Sequence, residues 1–318
     1  MKLTNKHNLP EPLYQAVLAF EEDYDKSHTK PSDISVTTLI GPVQIDVLKR
    51  KHGDELTEDA SDRIWAIVGQ SIHKILEMGA HRIYHNPVRT EERLYGEVGG
   101  WVVSGQYDAY TPSEKLLDDY KMCSIWEHMN GVKPERIAQL NCLAELMRMN
   151  DLEVEKLRVI AIYRDWQKSK TGFWKVLQDD KGRFTGEREW IYYNNDYPKH
   201  QVAVIPIEMW PQEKALEYMY DRVHVHKLAR DGDILPCTDE ERWHKPDVYA
   251  VMKKTQKRAL RLLDSEQEAT LWLMETSHKQ RNAPLSAMSV VHRPGEDTRC
   301  ESYCVVSSVC PQFNRRTS

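Results

Sequence analysis

The stretch WVVSGQYDAYTPSEKLLDDYKMCSIW, residues 101–126, contains strand-like runs on either side of the turn Thr111-Pro112-Ser113. Asp108 ends the first run, and the second carries Leu116-Leu117-Asp118-Asp119-Tyr120-Lys121. Side chains alternate along a strand, so Asp119 and Lys121 share one face while Asp118 and Tyr120 take the other. With Asp108 beside them, two carboxylates and an ammonium converge at one end of a hairpin. Acidic residues are disfavoured inside strands, so this placement needs a cause. A solvated Lys–Asp pair would supply one, worth about 0.5 kcal/mol and of no chemical interest. A divalent-cation site would supply a stronger one: hard oxygen ligands suit Mg2+, and a Lys beside them can address an anionic substrate.

Towards the N-terminus, Arg93–Val98 reads as a further strand and SDRIWAIVGQSIHKILEMG as a helix capped by Ser61. Ile64, Trp65, Val68, Ile72, Ile75 and Leu76 form its apolar stripe, with His73 on the flank. A His there is more often a packed rim residue than a ligand. Residues 11–24 and 40–52 read as short helices. Towards the C-terminus, Pro134 opens a helix with Ile137, Leu140, Ala144 and Met147 on one face, and LRVIAIYRDW follows as a central strand. Residues 175–207 read as hairpins, and 210–230 and 264–277 as helices. The order predicts an α/β fold, a mixed sheet flanked by helices.

The chain has 318 residues and a net charge of −5, with no apolar run long enough for a membrane span and no apolar N-terminal leader, so a cytoplasmic protein is expected. An acidic balance argues against a polyanion binder, but residues 1–62 hold 7 Lys/Arg against 12 Asp/Glu and account for all of it. Lys245–Arg261 carries six cations, with Lys253, Lys254, Lys257, Arg258 and Arg261 close together and Tyr249 among them, a pattern suited to nucleic-acid contact. Of six cysteines, Cys300, Cys304 and Cys310 form a C-x3-C-x5-C tail. Three close thiols in a segment poor in apolar residues make sense where a metal supplies the ordering energy, with Cys237 as fourth ligand. Cys123 and Cys142 fall in a strand and a helix, where a free Cys is a small buried apolar residue. Four thiolates suit tetrahedral zinc or an iron-sulfur cluster.

His73 in GQSIHKILE, Glu92 in TEERLYGEV, Asp108, Asp119-Tyr120-Lys121 and Gln139 stand in an order and spacing that resemble the RecB-like nucleases of the PD-(D/E)xK superfamily. Cys237 and the tail resemble the iron-sulfur staple of its AddB-type and CRISPR-associated exonucleases, and the layout is most similar to bacteriophage-encoded members. The resemblance covers residues 61–145 and 237–312. It implies a restriction-endonuclease-like core over residues 61–234, a helical segment over 1–60 before it, and a cysteine-stapled subdomain over 235–318. It implies Mg2+ or Mn2+ on Asp108, Asp119, the Tyr120 carbonyl and His73, with Gln139 and Glu92 towards substrate, and a 4Fe-4S cluster on Cys237, Cys300, Cys304 and Cys310, with Zn2+ as the alternative. Three departures stand out: Leu143 occupies the place of a family Tyr, the tail has C-x3-C where C-x2-C is usual, and Cys237 follows the nuclease motifs.

The implied activity is metal-dependent hydrolysis of phosphodiesters from DNA ends, with a single-strand annealing or other recombination protein as partner. The alternatives are an endonuclease or resolvase on the same fold, and a non-catalytic nucleic-acid-binding protein with a structural zinc. A basic role for Lys121 would require losing a proton near neutral pH, against an ordinary Lys value of about 10.4 and beside two carboxylates. It is therefore read as a charged clamp for water and phosphate.

Overall fold

The two runs around Asp108 lie, in a computed structural model of the chain, at the middle of a mixed α/β core. The structure describes residues 2–27, 30–279 and 288–317. The chain divides into two compact units, Met1–Gly41 with Thr57–Gly232, and Pro42–Leu56 with Asp233–Ser318.

In the first unit a five-stranded sheet has the order Val202–Ile207, Lys156–Tyr163, Leu116–Cys123, Ala109–Thr111, Arg89–Thr90. Leu116–Cys123 and Lys156–Tyr163 pair in parallel; the other pairs are antiparallel. Parallel neighbours need a crossover, and the helix Pro134–Met149 supplies it. Pro134 at its first turn gives up an amide that would have no partner. Leu140, Cys142, Leu143, Leu146 and Met147 are buried in this helix, and Cys123 on the strand before it is buried too, as small apolar cysteines should be.

The strands Arg93–Val98 and Trp101–Gln106 pair around Gly99-Gly100. Both glycines have positive φ, +56° and +73°, which a two-residue hairpin turn matched to strand twist demands. Ile34–Ser35 adds in parallel to Trp101–Gln106. The register set by this turn runs unbroken into the larger sheet, with Arg93 opposite Gln106 and Thr90 opposite Ala109.

The helix Ile64–Ala80 differs from expectation in two ways. Asp59, not Ser61, caps its entry: the Asp59 carboxylate accepts from the Ser61 amide and a 3-10 turn, Ala60–Arg63, leads into the helix. The predicted apolar stripe also does not enter the core, for Trp65 and Ile75 are exposed and Ile64, Val68, Ile72 and Leu76 only half-buried. The polar side, with Gln70, His73 and Glu77, instead lines a cavity.

The second unit takes up residues 42–56, so the expected N-terminal segment 1–60 is shared between the units. The expected helix 40–52 begins only at Val43, because Gly41-Pro42, with a proline that cannot donate and restricts its predecessor, separates it from a short helix Val36–Ile40. Leu48 and Leu56 pack with Val306 and Cys310 in one small core. A second core, around Val251, Ala269, Leu273 and Met288, lies between the sheet Arg261–Leu263, Val248–Lys253, Met288–Arg293 and the helix Glu266–Lys279.

Candidate active site

The register from Gly99-Gly100 places residue 91 opposite residue 108, and the Glu91 amide donates to the Asp108 carbonyl at 3.1 Å. Glu91 itself is left-handed, φ 54°, between the strands Arg89–Thr90 and Arg93–Val98. Two carboxylates so placed repel one another. His73, reaching down from its helix, lies against both: Nδ1 is 3.3 Å from Glu91 Oε1 and 3.5 Å from Asp108 Oδ1. Among the described residues, His73, Glu91 and Asp108 are the one set of three His, Cys, Asp or Glu whose donor atoms all lie within 4.8 Å.

Asp108 is held from behind, its Oδ2 accepting the Tyr120 amide at 2.6 Å. Lys121 Nζ lies 2.7 Å from Asp119 Oδ1 and 3.9 Å from Asp108 Oδ2, as the strand alternation predicts. Asp118, on the other face, forms a two-point pair with Arg158 at 2.7 and 2.8 Å. The second oxygen of Asp119 is buried with no hydrogen-bond partner among the described residues. Such an atom costs free energy unless something else satisfies it.

Burial pushes the Asp108 carboxyl up to about 6, with Asp119 adding to the rise and the charges of Lys121 and His73 opposing it. The His73 imidazole is raised as well, chiefly by its hydrogen bond to Glu91, against the penalty of burial. The group faces a cavity of about 660 Å³ that also touches Gln106, Gln139 and Leu143. Gln106 orients Glu91 through a 2.8 Å bond from Nε2 to Oε2.

Of the residues expected here, His73, Asp108, Asp119, Lys121 and Gln139 are brought to this region. Tyr120 contributes its amide to Asp108, and its ring meets that of His73 edge-on at 6.0 Å. Glu92 lies outside this set, pairing with Arg89, Nε to Oε1 at 2.9 Å, while the neighbouring Glu91 joins His73 and Asp108. The missed residue was legible, since counting back from the Gly99-Gly100 turn names the partner of Asp108. Of the basic run, Lys253 ends the strand Val248–Lys253, Lys254, Lys257 and Arg258 are exposed on the connection to Arg261–Leu263, and Arg261 lies over the Trp272 ring at 5.8 Å. These five belong to the second unit.

Also in the second unit, Cys237, Cys300, Cys304 and Cys310 line one cavity of about 20 Å³ with Gln44, Arg242 and Asp297. All four are free thiols. The Cys237 thiol donates to Gln44 Oε1 at 3.3 Å, and burial together with the nearby Glu241 and the other three cysteines pushes it up to about 12. No three of these sulfurs lie within 4.8 Å of one another.

No family model matches the chain, and no curated protein does. Among solved structures, it is similar to SSO0001, with 15% identity over 66% of this chain and 85% of that one and a TM-score of 0.42. It is also similar to a phage-related exonuclease from Haemophilus somnus 129PT, with 13% identity over 70% of this chain and 83% of that one and a TM-score of 0.29. TM-scores below 0.5 do not establish a shared fold. No helix among the described residues is long and apolar enough to cross a membrane.

Proposed function

We propose that this chain is a metal-dependent nuclease that hydrolyses DNA phosphodiesters from strand ends. The observation that carries the reading is the convergence of His73, Glu91 and Asp108 within 4.8 Å on the wall of an open cavity, with Asp119 joined to Asp108 through Lys121 and its second oxygen buried without a hydrogen-bond partner among the described residues. One imidazole and three carboxylates make a donor set of the hardness that Mg2+ or Mn2+ takes. His73, Glu91, Asp108 and Asp119 would hold the ion. Bound there, it supplies neutralisation of phosphate oxygens and a lowered pKa for attacking water.

The protein's own groups supply the rest. The Tyr120 amide fixes Asp108, Gln106 fixes Glu91, and both carboxylates therefore keep their places when the substrate arrives. Lys121, already held 2.7 Å from Asp119, places a cation where negative charge grows as water adds across the P–O bond. Gln139, on the crossover helix, offers an amide to the strand lying in the cavity.

The four cysteines fit a structural metal group, because their thiols crowd one small cavity in a unit with little apolar core. A tetrahedral thiolate zinc, with Zn–S of about 2.3 Å, would bring the sulfurs to roughly 4 Å of each other. A 4Fe-4S cluster takes the same four thiolates.

End-labelled linear DNA and covalently closed DNA, incubated with Mg2+, Mn2+ or EDTA, test the activity. Loss of linear DNA alone, abolished by EDTA and by Asp119→Ala, is expected. Cutting of closed circles would make the protein an endonuclease, and cleavage that survives Asp119→Ala would displace the site.

A further inference from the structure

Between the strands Lys156–Tyr163 and Val202–Ile207 the chain leaves the sheet to build a separate two-stranded ribbon, Gly172–Gln178 with Phe184–Tyr192. None of the nuclease chemistry uses it. Every residue of Phe173–Val176 and of 184–189 is exposed. A ribbon that shows this much aromatic surface to solvent marks a place of contact.

Its register sorts the side chains into two unlike faces. Cross-strand partners share a face, and Trp174 opposite Trp190, Val176 opposite Arg188, and Tyr192 opposite Gly172 all fall on one side. The two tryptophan rings meet edge-on at 5.2 Å. Trp174 is 53% exposed and Tyr192 42%. Lys168 lies over both tryptophans, at 5.4 and 5.0 Å, and Lys199 lies over Tyr192 at 5.2 Å. The glutamates of this part of the ribbon, Glu187 and Glu189, alternate with Arg188 and so take the opposite side. Trp174, Trp190 and Tyr192 thus share one face with Arg188, while Glu187 and Glu189 lie on the other beside Lys175 and Phe173.

From this we infer that the Trp174–Trp190–Tyr192 face is a stacking platform for single-stranded nucleic acid. Every base has a π-face to lay on an exposed ring, and the neighbouring Lys and Arg meet the backbone charge without reading sequence. An anionic protein partner would find the same cations, but the open indole and phenol rings suit flat heterocycles better than carboxylate side chains. The inference rests on the nuclease reading only in naming the bound strand as substrate.

The test is anisotropy of a fluorescein-labelled 20-mer oligothymidine titrated, without divalent metal, with the full chain carrying Asp119→Ala. Adding Trp174→Ala or Tyr192→Ala is expected to weaken binding at least about fivefold, the low end for loss of one stacked base. Trp174→Phe, which keeps a ring, should recover most of it, and Arg188→Ala should lower the salt dependence. Phe173→Ala, on the other face, should change binding less than twofold. Equal loss from both faces, unchanged affinity, or a change in self-association alone would overturn the platform. If binding behaves as expected while the unsubstituted chain cleaves no DNA, the nuclease reading fails and the platform stands. If cleavage is sound but the ring variants bind normally, the reverse holds.

Discussion

Glu91 and Glu92 are adjacent, identical and opposite in fate. Strand alternation sends neighbours to opposite faces, and the left-handed backbone at Glu91 turns its carboxylate towards His73 while Glu92 stays with Arg89. Glu91→Gln should therefore raise the Mn2+ concentration needed for half-maximal cleavage about 10- to 100-fold, with Glu92→Gln within twofold of the parent. Equal effects would remove Glu91 from the site. Asp108 carries a pH signature in the metal-free protein. Its folded value of about 6 lies above the ordinary Asp value near 3.8, so the protonated form is the one folding favours. Its stabilising share is complete below the ordinary value and disappears as pH rises through the folded one. In EDTA, Asp108→Asn should thus gain Tm relative to the parent at pH 7.5 compared with pH 4.5; a Tm difference independent of pH would show that burial does not govern this carboxyl. Asp119 and Lys121 share a face, as strand alternation predicts, whereas His73, on the flank of an apolar stripe, enters only through the family resemblance. The family motif points to Glu92, whereas the hairpin register counted from Gly99-Gly100, which no local motif states, sets Glu91 opposite Asp108.

At the scale of elements, the strands and helices of the first unit follow from alternation, proline placement and the long apolar run of Lys156–Tyr163. The orientation of Ile64–Ala80 does not. Its apolar stripe and its polar cavity side compete for the same helix, and the polar side faces the site. The ribbon Gly172–Tyr192 closes tightly at its first residue: a Cβ at Gly172 would lie 2.1 Å from the Ile191 carbonyl oxygen, a backbone atom that cannot yield alone, and 2.8 Å from Trp190 Nε1. Gly172→Ala should open the base of the ribbon. Amide exchange across Phe173–Tyr192 should then rise strongly while Leu116–Cys123 and Lys156–Tyr163 keep their protection. If the ribbon stays protected, the glycine contact is not what seats it.

For the whole molecule, composition misled at first, since a net −5 conceals a first segment that holds all the surplus acid. The division into units was less legible still: nothing in residues 42–56 announces that they pack with residues beyond 300, because two apolar anchors, Leu48 and Leu56, are too few to declare a partner. Under the cluster reading, Cys310→Ser should leave the protein colourless and iron-poor, and expose residues 233–318 to protease while 57–232 resist. A variant that keeps its iron and its resistance would remove Cys310 from the ligand set. The same discontinuity bears on biosynthesis. The helix Val43–His52 emerges from the ribosome about 250 residues ahead of the Val306 and Cys310 that cover it, a delay on the order of 10–50 s at ordinary elongation rates. Its apolar side must wait, open to chaperones or to a wrong neighbour, and assembly of the cysteine site becomes a late event in the life of each new chain.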